Sequence, residues 1–445
     1  MIQYAYMVED KKIDELLSRG VSQCIDPQGV FRKKLQNNPD QIVIKFGVDP
    51  TRPDIHLGHA VVLHRLRQFQ ELGCKVVFLV GDITAQIGDP TGKSKVRPEL
   101  DMEEITKNMQ TYLDQVGKIL RTDEKVFTWI KNSDWFVGIN DISVRGDENS
   151  TVEEKALVWK NTRMQPNKKN IRNYSLINLL AVLRGVSFGR LIERDMFQER
   201  LKNGLPIFMH EMLYPVLQGI DSNVISDAYG SCDLEVGGTD QHFNMLVGRE
   251  VMEMNKKVPQ SVISFKLLVG LDGKEKMSKS LDNYIGITDE SNDMFGKIMS
   301  IPDSLIVEYF ELCTFTPLDD IEVIKAGLEN GKLHPKEIKM NLASQVVDMY
   351  HGKEKAFEAE EAFENTFSKG EIPELVDIEV KEETLLVEIC LHHGLVSSKG
   401  EFTRLVESKS IEHMDSEKIV DDKNSIALTG TYRIGKKRFI KIKVI

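Results

Sequence analysis

His56 and His59 stand three residues apart in Pro50-Thr51-Arg52-Pro53-Asp54-Ile55-His56-Leu57-Gly58-His59. That spacing puts both imidazoles on one face of a helix, at its N-terminus. Exposed N–H groups and the positive end of the helix dipole favour an anion there. Gly58 has no side chain, so a flat adenine or ribose could lie against the backbone. The arrangement suits a nucleoside triphosphate. Taken alone, the same string reads as two surface histidines at a helix start, the commoner case. A zinc site fits poorly, because no glutamate or third ligand follows at metalloprotease spacing.

Two basic loops could serve the same chemistry. Gly88-Asp89-Pro90-Thr91-Gly92-Lys93-Ser94-Lys95-Val96-Arg97 invites a P-loop reading, but the spacing requires glycine at position 87, which is Ile87. It is either a loop whose Lys93, Lys95 and Arg97 swing toward phosphate or an ordinary solvated turn. Lys276-Met277-Ser278-Lys279-Ser280 follows Asp272-Gly273-Lys274. Glycine and serine keep it mobile, and its lysines are point charges able to close on a polyphosphate. A solvated Lys/Ser loop is the plain alternative. Co-occurrence with the histidine motif about 220 residues upstream raises both above their plain readings.

A third group could hold a small polar ligand. Tyr214, Gln218 and Asp221 fall at i, i+4 and i+7, on one helical face, with Leu213, Val216, Leu217 and Ile220 on the others. A polar stripe on a buried helix needs partners, although one facing solvent does not. Pro215 must sit in the first turn of that helix or kink it. Val236-Gly237-Gly238-Thr239-Asp240-Gln241-His242-Phe243-Asn244 ends an apolar run in two glycines and a carboxylate. Asp240 could accept from ribose hydroxyls. Thr239 or Asp240 could equally cap a helix.

The elements that would position these residues are legible. Residues 42–48 read as a strand, His56 to Leu72 as a helix, and Lys75 to Val80 as a second strand. Strand, helix and strand within about 40 residues make a parallel βαβ unit, so an α/β, Rossmann-like doubly wound parallel sheet is expected. This catalytic domain is taken as residues 1–265. It carries a polar insertion near 139–175, where Arg145 to Ser150 looks like a turn and Lys160 to Arg172 is basic. Helical periodicity resumes at Leu176. It runs again from Asn292 to Phe367, with breaks at Pro302, Pro317 and Pro335, giving an α-helical domain over 266–368. Residues 369–382 read as a linker. Residues 383–445 read as a small α+β domain.

Composition sets outer limits. Of 445 residues, 41% are apolar, enough for two or three packed domains. The net charge of −11 excludes a globally basic nucleic-acid coat, so nucleic acid must be met by local patches. One such patch is 424–445, with six basic residues and no acid; a solubilising basic terminus would look alike. No apolar run is long enough to span a membrane, and the first ten residues lack an export signal. The five scattered cysteines form no Cys-x-x-Cys pair, so free thiols in a reducing cytoplasm are expected.

The His-Leu-Gly-His and Lys-Met-Ser-Lys-Ser elements resemble the signature pair of the class I aminoacyl-tRNA synthetases. The remaining blocks are similar to the bacterial tyrosyl-tRNA synthetase family, in its order and over nearly the whole chain. These blocks are Phe-Gly-Val-Asp-Pro-Thr, Gly-Asp-Pro-Thr-Gly-Lys, Tyr-x-x-x-Gln-x-x-Asp and Gly-Gly-Thr-Asp-Gln. The resemblance implies that His56 and His59 contact the ATP phosphates, while Lys93, Arg97, Lys276 and Lys279 stabilise departing pyrophosphate. It implies ATP contacts from Asp49, Thr51, Gly58, Gly238, Asp240, Met277 and Ser278. Tyrosine would be held by Gly47, Asp89, Tyr214, Gln218, Asp221 and Gln241, with Asp221 on the phenol hydroxyl. Residues 266–368 would lie on the anticodon side. The tail would be an RNA-binding domain of ribosomal-protein type that meets tRNA through Arg433, Lys436, Lys437 and Arg438. Mg²⁺ is implied only as part of the ATP complex, with no tightly bound protein metal; a homodimer is also implied.

Two features depart from the family pattern. Lys45 stands where some members carry a second, tyrosine partner for the phenol, so Asp221 would need another residue or a water. The 139–175 segment is longer than usual; its basic half could touch the tRNA acceptor arm or be a solvated surface insertion. Competing readings are a tryptophanyl-tRNA synthetase, a cofactor nucleotidyltransferase, and an inactive relative that binds RNA as a scaffold. Asp221 and the Gly-Gly-Thr-Asp-Gln block favour tyrosine. The lysine loop and tail disfavour a nucleotidyltransferase, and retention of both histidines and both loop lysines disfavours a scaffold.

Overall fold

The computed structural model describes residues 8–89, 102–136, 174–368, 377–396, 398–416, 418–435 and 438–445. The chain forms two compact units, Met1–Ala356 and Phe357–Ile445. Lys93, Arg97, Lys436, Lys437 and nearly all of the 139–175 segment lie outside the described residues.

The first unit is built on a six-stranded sheet: β1 (Val21–Ile25), β2 (Val43–Val48), β3 (Lys75–Val80), β4 (Phe127–Lys131), β5 (Leu234–Gly238) and β6 (Ser261–Phe265), in the order β1-β6-β5-β2-β3-β4. The expected βαβ unit is β2, the helix Leu57–Glu71, and β3, paired in parallel from Val43↔Lys75 to Val48↔Val80. All neighbours pair in parallel except the edge strand β1, which is antiparallel to β6. From Val76 to Val80 every residue is buried. Alternate side chains point to opposite faces, so such a run requires cover on both. On one face Val77, Leu79 and Ile130 join Val216, Ile220 and Val224 of the helix Met209–Tyr229 and Val251 of the helix His242–Met254. On the other, the helix Leu57–Glu71 buries Val61, Leu66 and Phe69.

The strand order reverses at the centre of the sheet. From β2 the chain goes to β3 and β4 on one side, and β5 and β6 then add on the other. At such a reversal the connections leave on opposite sides, opening a crevice at the carboxyl ends of the strands. The Asp49 turn after β2 and the glycines ending β5 border that crevice.

The helical expectation after Asn292 is met by Ser291–Met299, Ile306–Cys313, Leu318–Glu329, Pro335–His351 and Lys353–Ser368. Pro302 and Pro317 lie in the breaks, while Pro335 opens a helix, where its missing N–H costs nothing. Two buried side chains tie this helical region to the sheet domain. The Arg19 guanidinium donates to the Thr316 and Thr314 carbonyls at 2.7 and 2.8 Å. His64, on the helix Leu57–Glu71, meets the Tyr350 hydroxyl at 2.9 Å.

The second unit packs the helices Leu386–His392 and Lys399–Glu407 on a five-stranded sheet. Its strands are β7 (Asp377–Val380), β8 (Ile411–His413), β9 (Lys418–Ile419), β10 (Gly430–Ile434) and β11 (Arg438–Val444), in the order β7-β11-β10-β8-β9. Leu386, Phe402, Ile411, Tyr432 and Ile442 belong to its own core. Part of the stretch expected as a linker, 369–382, is therefore structured. Asp377–Val380 pairs in parallel with β11, and Asp-Ile-Glu-Val is too short for its alternation to stand out. Among the described residues no helix is long and apolar enough to cross a membrane.

Candidate active site

The histidine helix starts where it does because its first residues are pinned from outside. His56 is extended and forms an antiparallel bridge to Gly286. Leu57 N–H donates to the Ile285 carbonyl at 2.9 Å, and Ile287 N–H to the Ile55 carbonyl at 3.0 Å. Residues 285–287 immediately follow the lysine loop, so the two distant motifs are one structural unit. A Cβ on Gly58 would lie 3.0 Å from the His56 ring and 3.6 Å from Met277 Cβ. Glycine here leaves room for the His56 ring.

Backbone and side-chain bonds also shape the loop. Met277 N–H donates to the Leu268 carbonyl at 2.7 Å, and Ser278 N–H to Asn283 Oδ1 at 2.8 Å. Asn283 is held in turn by Asp272 at 2.7 Å. After the turn Lys279–Leu281, Asp282 takes the left-handed conformation at φ 52°, a strained state for a non-glycine residue. The two ammonium groups thereby point into one space. Lys276 Nζ lies 2.9 Å from Asp240 Oδ2, and Lys279 Nζ 3.4 Å from Asp54 Oδ2 while also donating to the Asp54 carbonyl.

Both imidazoles are electrically neutral at pH 7. Burial, followed by the charges of Lys279 and Lys276, lowers His59 to about 4. Burial, then His59, Lys279 and Lys276, holds His56 far below the ordinary histidine range. The rings lie 3.9 Å apart. His59 Nδ1 accepts from His56 N–H at 3.3 Å, which leaves the His59 proton on Nε2. The site thus presents neutral N–H donors backed by ammonium charge, a set suited to a polyphosphate.

The other half of the site is the polar stripe. Tyr214, Gln218 and Asp221 all reside on Met209–Tyr229, with Pro215 inside that helix. Tyr214 Oη donates to Asp49 Oδ2 at 2.8 Å, and Thr84 Oγ1 donates to Asp49 Oδ1 at 2.7 Å. Asp49 therefore orients Tyr214. Gln241 Nε2 donates to Asp89 Oδ2 at 2.5 Å, with the buried Arg194 guanidinium 3.8 Å from Asp89. Asp221 is 2% exposed and accepts from Trp135 Nε1 at 3.1 Å. Burial pushes its carboxyl up to about 8, against the pull of the Lys45 charge and the Trp135 hydrogen bond. Under Gln218 and Asp221, Lys45 and Glu235 form a buried ion pair at 2.9 Å.

All the expected catalytic, ATP and tyrosine residues among those described line one cavity of about 570 Å³. Gly47, Asp49 and Thr51 come from the end of β2 and its turn, and Gly238, Asp240 and Gln241 from the end of β5. His56, Gly58 and His59 come from the helix start, and Lys276, Met277, Ser278 and Lys279 from the loop. A Cβ on Gly238 would come within 2.6 Å of Asp240 Oδ1, so only glycine leaves that carboxylate where it is. The cavity brings together the two histidines, the two loop lysines and the buried Asp221 carboxyl.

Residues 37–368 match the family tRNA synthetases class I (W and Y). The chain is 39% identical over 430 residues to the tyrosine–tRNA ligase of Mannheimia succiniciproducens, covering 96% of this chain and 97% of that one. It is 38% identical to that of Francisella tularensis, covering 97% and 98%. The chain belongs to the tyrosine–tRNA ligase family. The fold of these class I synthetases is shared at lower identity. The mitochondrial tyrosyl-tRNA synthetase of Aspergillus nidulans superposes with a TM-score of 0.58 at 21% identity, over 81% of this chain and 95% of that one.

Within this family frame, several neighbours of the site escaped sequence reasoning. Trp135 and Asn132 act on Asp221, and Glu235 holds Lys45, which the sequence had already singled out. Arg194 stands behind Asp89. None carries a motif; the one available signal was Lys45 itself, a lysine in the middle of an apolar strand, which demands a buried acid. In the second unit, Arg433 donates to Glu412, and Arg438 pairs with Glu401 at 2.8 Å. These acids offset part of the basic charge read from the tail.

Proposed function

We propose that the chain is a tyrosine–tRNA ligase: it activates L-tyrosine with ATP, releasing pyrophosphate, and then esterifies the 3′ end of tRNA(Tyr). The observation that carries this reading is the meeting of the histidine helix and lysine loop in one cavity with the buried Asp221. In the first step the tyrosine carboxylate attacks the α-phosphorus in line, and the bond to the pyrophosphate oxygen breaks. No enzyme nucleophile is needed; positioning and stabilisation of moving charge do the work. Asp89, Tyr214 and Gln218 hold the ammonium and Asp221 the phenol. The His56 and His59 N–H groups donate to phosphate oxygens. Lys276 and Lys279 exchange Asp240 and Asp54 for the departing pyrophosphate, freeing Asp240 for the ribose. Lys93 and Arg97 add to that charge, and Mg²⁺ enters with ATP as part of the substrate. In the second step a terminal ribose hydroxyl attacks the adenylate carbonyl, and AMP leaves.

Amino-acid-dependent ATP–pyrophosphate exchange across the twenty amino acids tests the reading. Exchange with tyrosine alone is expected. Exchange with tryptophan, or with none, contradicts it.

The remaining partners follow from the same reading. Residues 266–368 support the anticodon side, and 383–445 bind tRNA with Arg433, Lys436, Lys437 and Arg438. Deleting 383–445 is expected to cut tRNA charging at least tenfold while sparing exchange; equal loss of both would make the tail a structural prop. The working unit is a cytoplasmic homodimer. Leu176, Ile177 and Phe188, on the neighbouring helices Leu176–Leu183 and Phe188–Ile192, are 69%, 77% and 64% exposed. Exposed apolar side chains on successive helices suit an interaction surface. Ile177→Asp should shift the sedimenting species from dimer to monomer, and a wild-type monomer would refute the assignment.

A further inference from the structure

Lys45 and Glu235 face each other across β2 and β5, in register, where the strand order reverses. Their side chains are 0% and 2% exposed. Every ammonium proton of Lys45 has an acceptor: Glu235 Oε1 at 2.9 Å, the Gln218 carbonyl at 2.7 Å and Ser222 Oγ at 2.8 Å. Glu235 in turn accepts from Gln218 Nε2 at 3.1 Å, Ser222 Oγ at 2.9 Å and Gln260 Nε2 at 2.8 Å. Burying two ions is a poor way to fill space, because desolvation offsets their attraction and an apolar pair would serve as well. Their place in the cavity is what distinguishes them. Both line its floor, together with Gln218 and Asp221. Lys45 grips the main chain of Gln218, one helical turn before Asp221. Its charge also favours the ionised form of Asp221, against burial.

We infer that the Lys45–Glu235 pair is the positioning device that sets selectivity at the phenol end: Lys45 fixes the main chain of Gln218 one turn before Asp221, and Glu235 holds Lys45 and Gln218 in register beneath it. This rests on the tyrosine-ligase reading above and deepens it. A carboxyl fixed in this place gives the tyrosine hydroxyl a hydrogen-bond partner, while a phenylalanine ring leaves that partner buried and unpaired. Without the pair, the turn that carries Gln218 and Asp221 is no longer tied to β2, so the hydroxyl gains less and its absence matters less. Both changes compress the difference between the two amino acids.

The test is the double variant Lys45→Met/Glu235→Gln, which removes both charges together and leaves glutamine to bond Gln218 and Ser222. Lys45→Met alone strands a buried carboxylate and is expected to melt earlier. Pyrophosphate exchange is measured with tyrosine and with phenylalanine, beside thermal melting. The double variant should lose at least tenfold in the tyrosine-to-phenylalanine ratio of kcat/KM, mainly through a higher KM for tyrosine, with kcat little changed. An unaltered ratio overturns the inference. So does an equal loss with both amino acids, or failure of the double variant to fold, either of which makes the pair a purely structural element. Unsubstituted protein that shows no tyrosine-dependent exchange would instead sink the functional reading itself.

Discussion

Alanine at Lys276 or at Lys279 is expected to slow tyrosyl-adenylate formation about a hundredfold or more, with the KM for tyrosine little changed. The ammonium groups pair with Asp240 and Asp54 and act on the His56 and His59 rings. Removing one preorganised donor at a site of developing charge commonly costs about 10²–10³ in rate. The effect should be large here because the neighbouring imidazoles are neutral; burial keeps them so, and the lysines themselves add to it. With neutral histidines, positive charge at this place must come from lysine and arginine, and the loop brings two such groups. Single-turnover kinetics separate the alternatives. A rise in the KM for ATP with an unchanged rate of chemistry would mean that the loop binds ground state and transition state equally.

Asp221→Ala should abolish much of the preference for tyrosine over phenylalanine, by roughly 10- to 100-fold, since a buried acceptor left unpaired costs about 1–3 kcal/mol. Unchanged selectivity in pyrophosphate exchange would show that the phenol is held elsewhere. The same carboxyl has a signature in stability. Burial raises it in the folded chain from 3.8 to about 8. Between those values the folded state keeps a proton that the unfolded state has lost. This group's contribution is therefore complete at low pH and is lost as pH rises from about 4 to about 8. Asp221→Asn removes the titration. The difference in melting temperature between wild type and variant should then move in the variant's favour as pH rises through that window. A difference independent of pH would refute the assignment.

The sequence disclosed what depends on local pattern. The βαβ unit around Leu57–Glu71 was readable because a helical period lies between two β-branched runs. The stripe Tyr214, Gln218, Asp221 was readable because one helix carries it at turn spacing. The direct union of the two motifs was not, since the bridge between His56 and Gly286 joins backbone atoms and leaves no trace in residue type. The same holds for Trp135, whose indole reaches Asp221 from a different strand connection. Lys45 shows the middle case. A lysine inside an apolar strand calls for a buried partner, but the identity of Glu235 depended on which strands become neighbours where the strand order reverses. Strand β7 was missed for a comparable reason: four residues gain their strand character from β11, which follows at the far end of the chain.

The central claim is that tyrosine and ATP meet in this one cavity, phenol toward Asp221 and phosphate toward the histidine helix and lysine loop. A crystal structure with a non-hydrolysable tyrosyl-adenylate analogue tests it most directly. The account predicts the phenol oxygen about 3 Å from an Asp221 oxygen, the ribose beside Asp240, and the phosphate mimic within hydrogen-bonding reach of His56 or His59. An analogue bound with its ring away from Asp221, or outside the cavity, would contradict it.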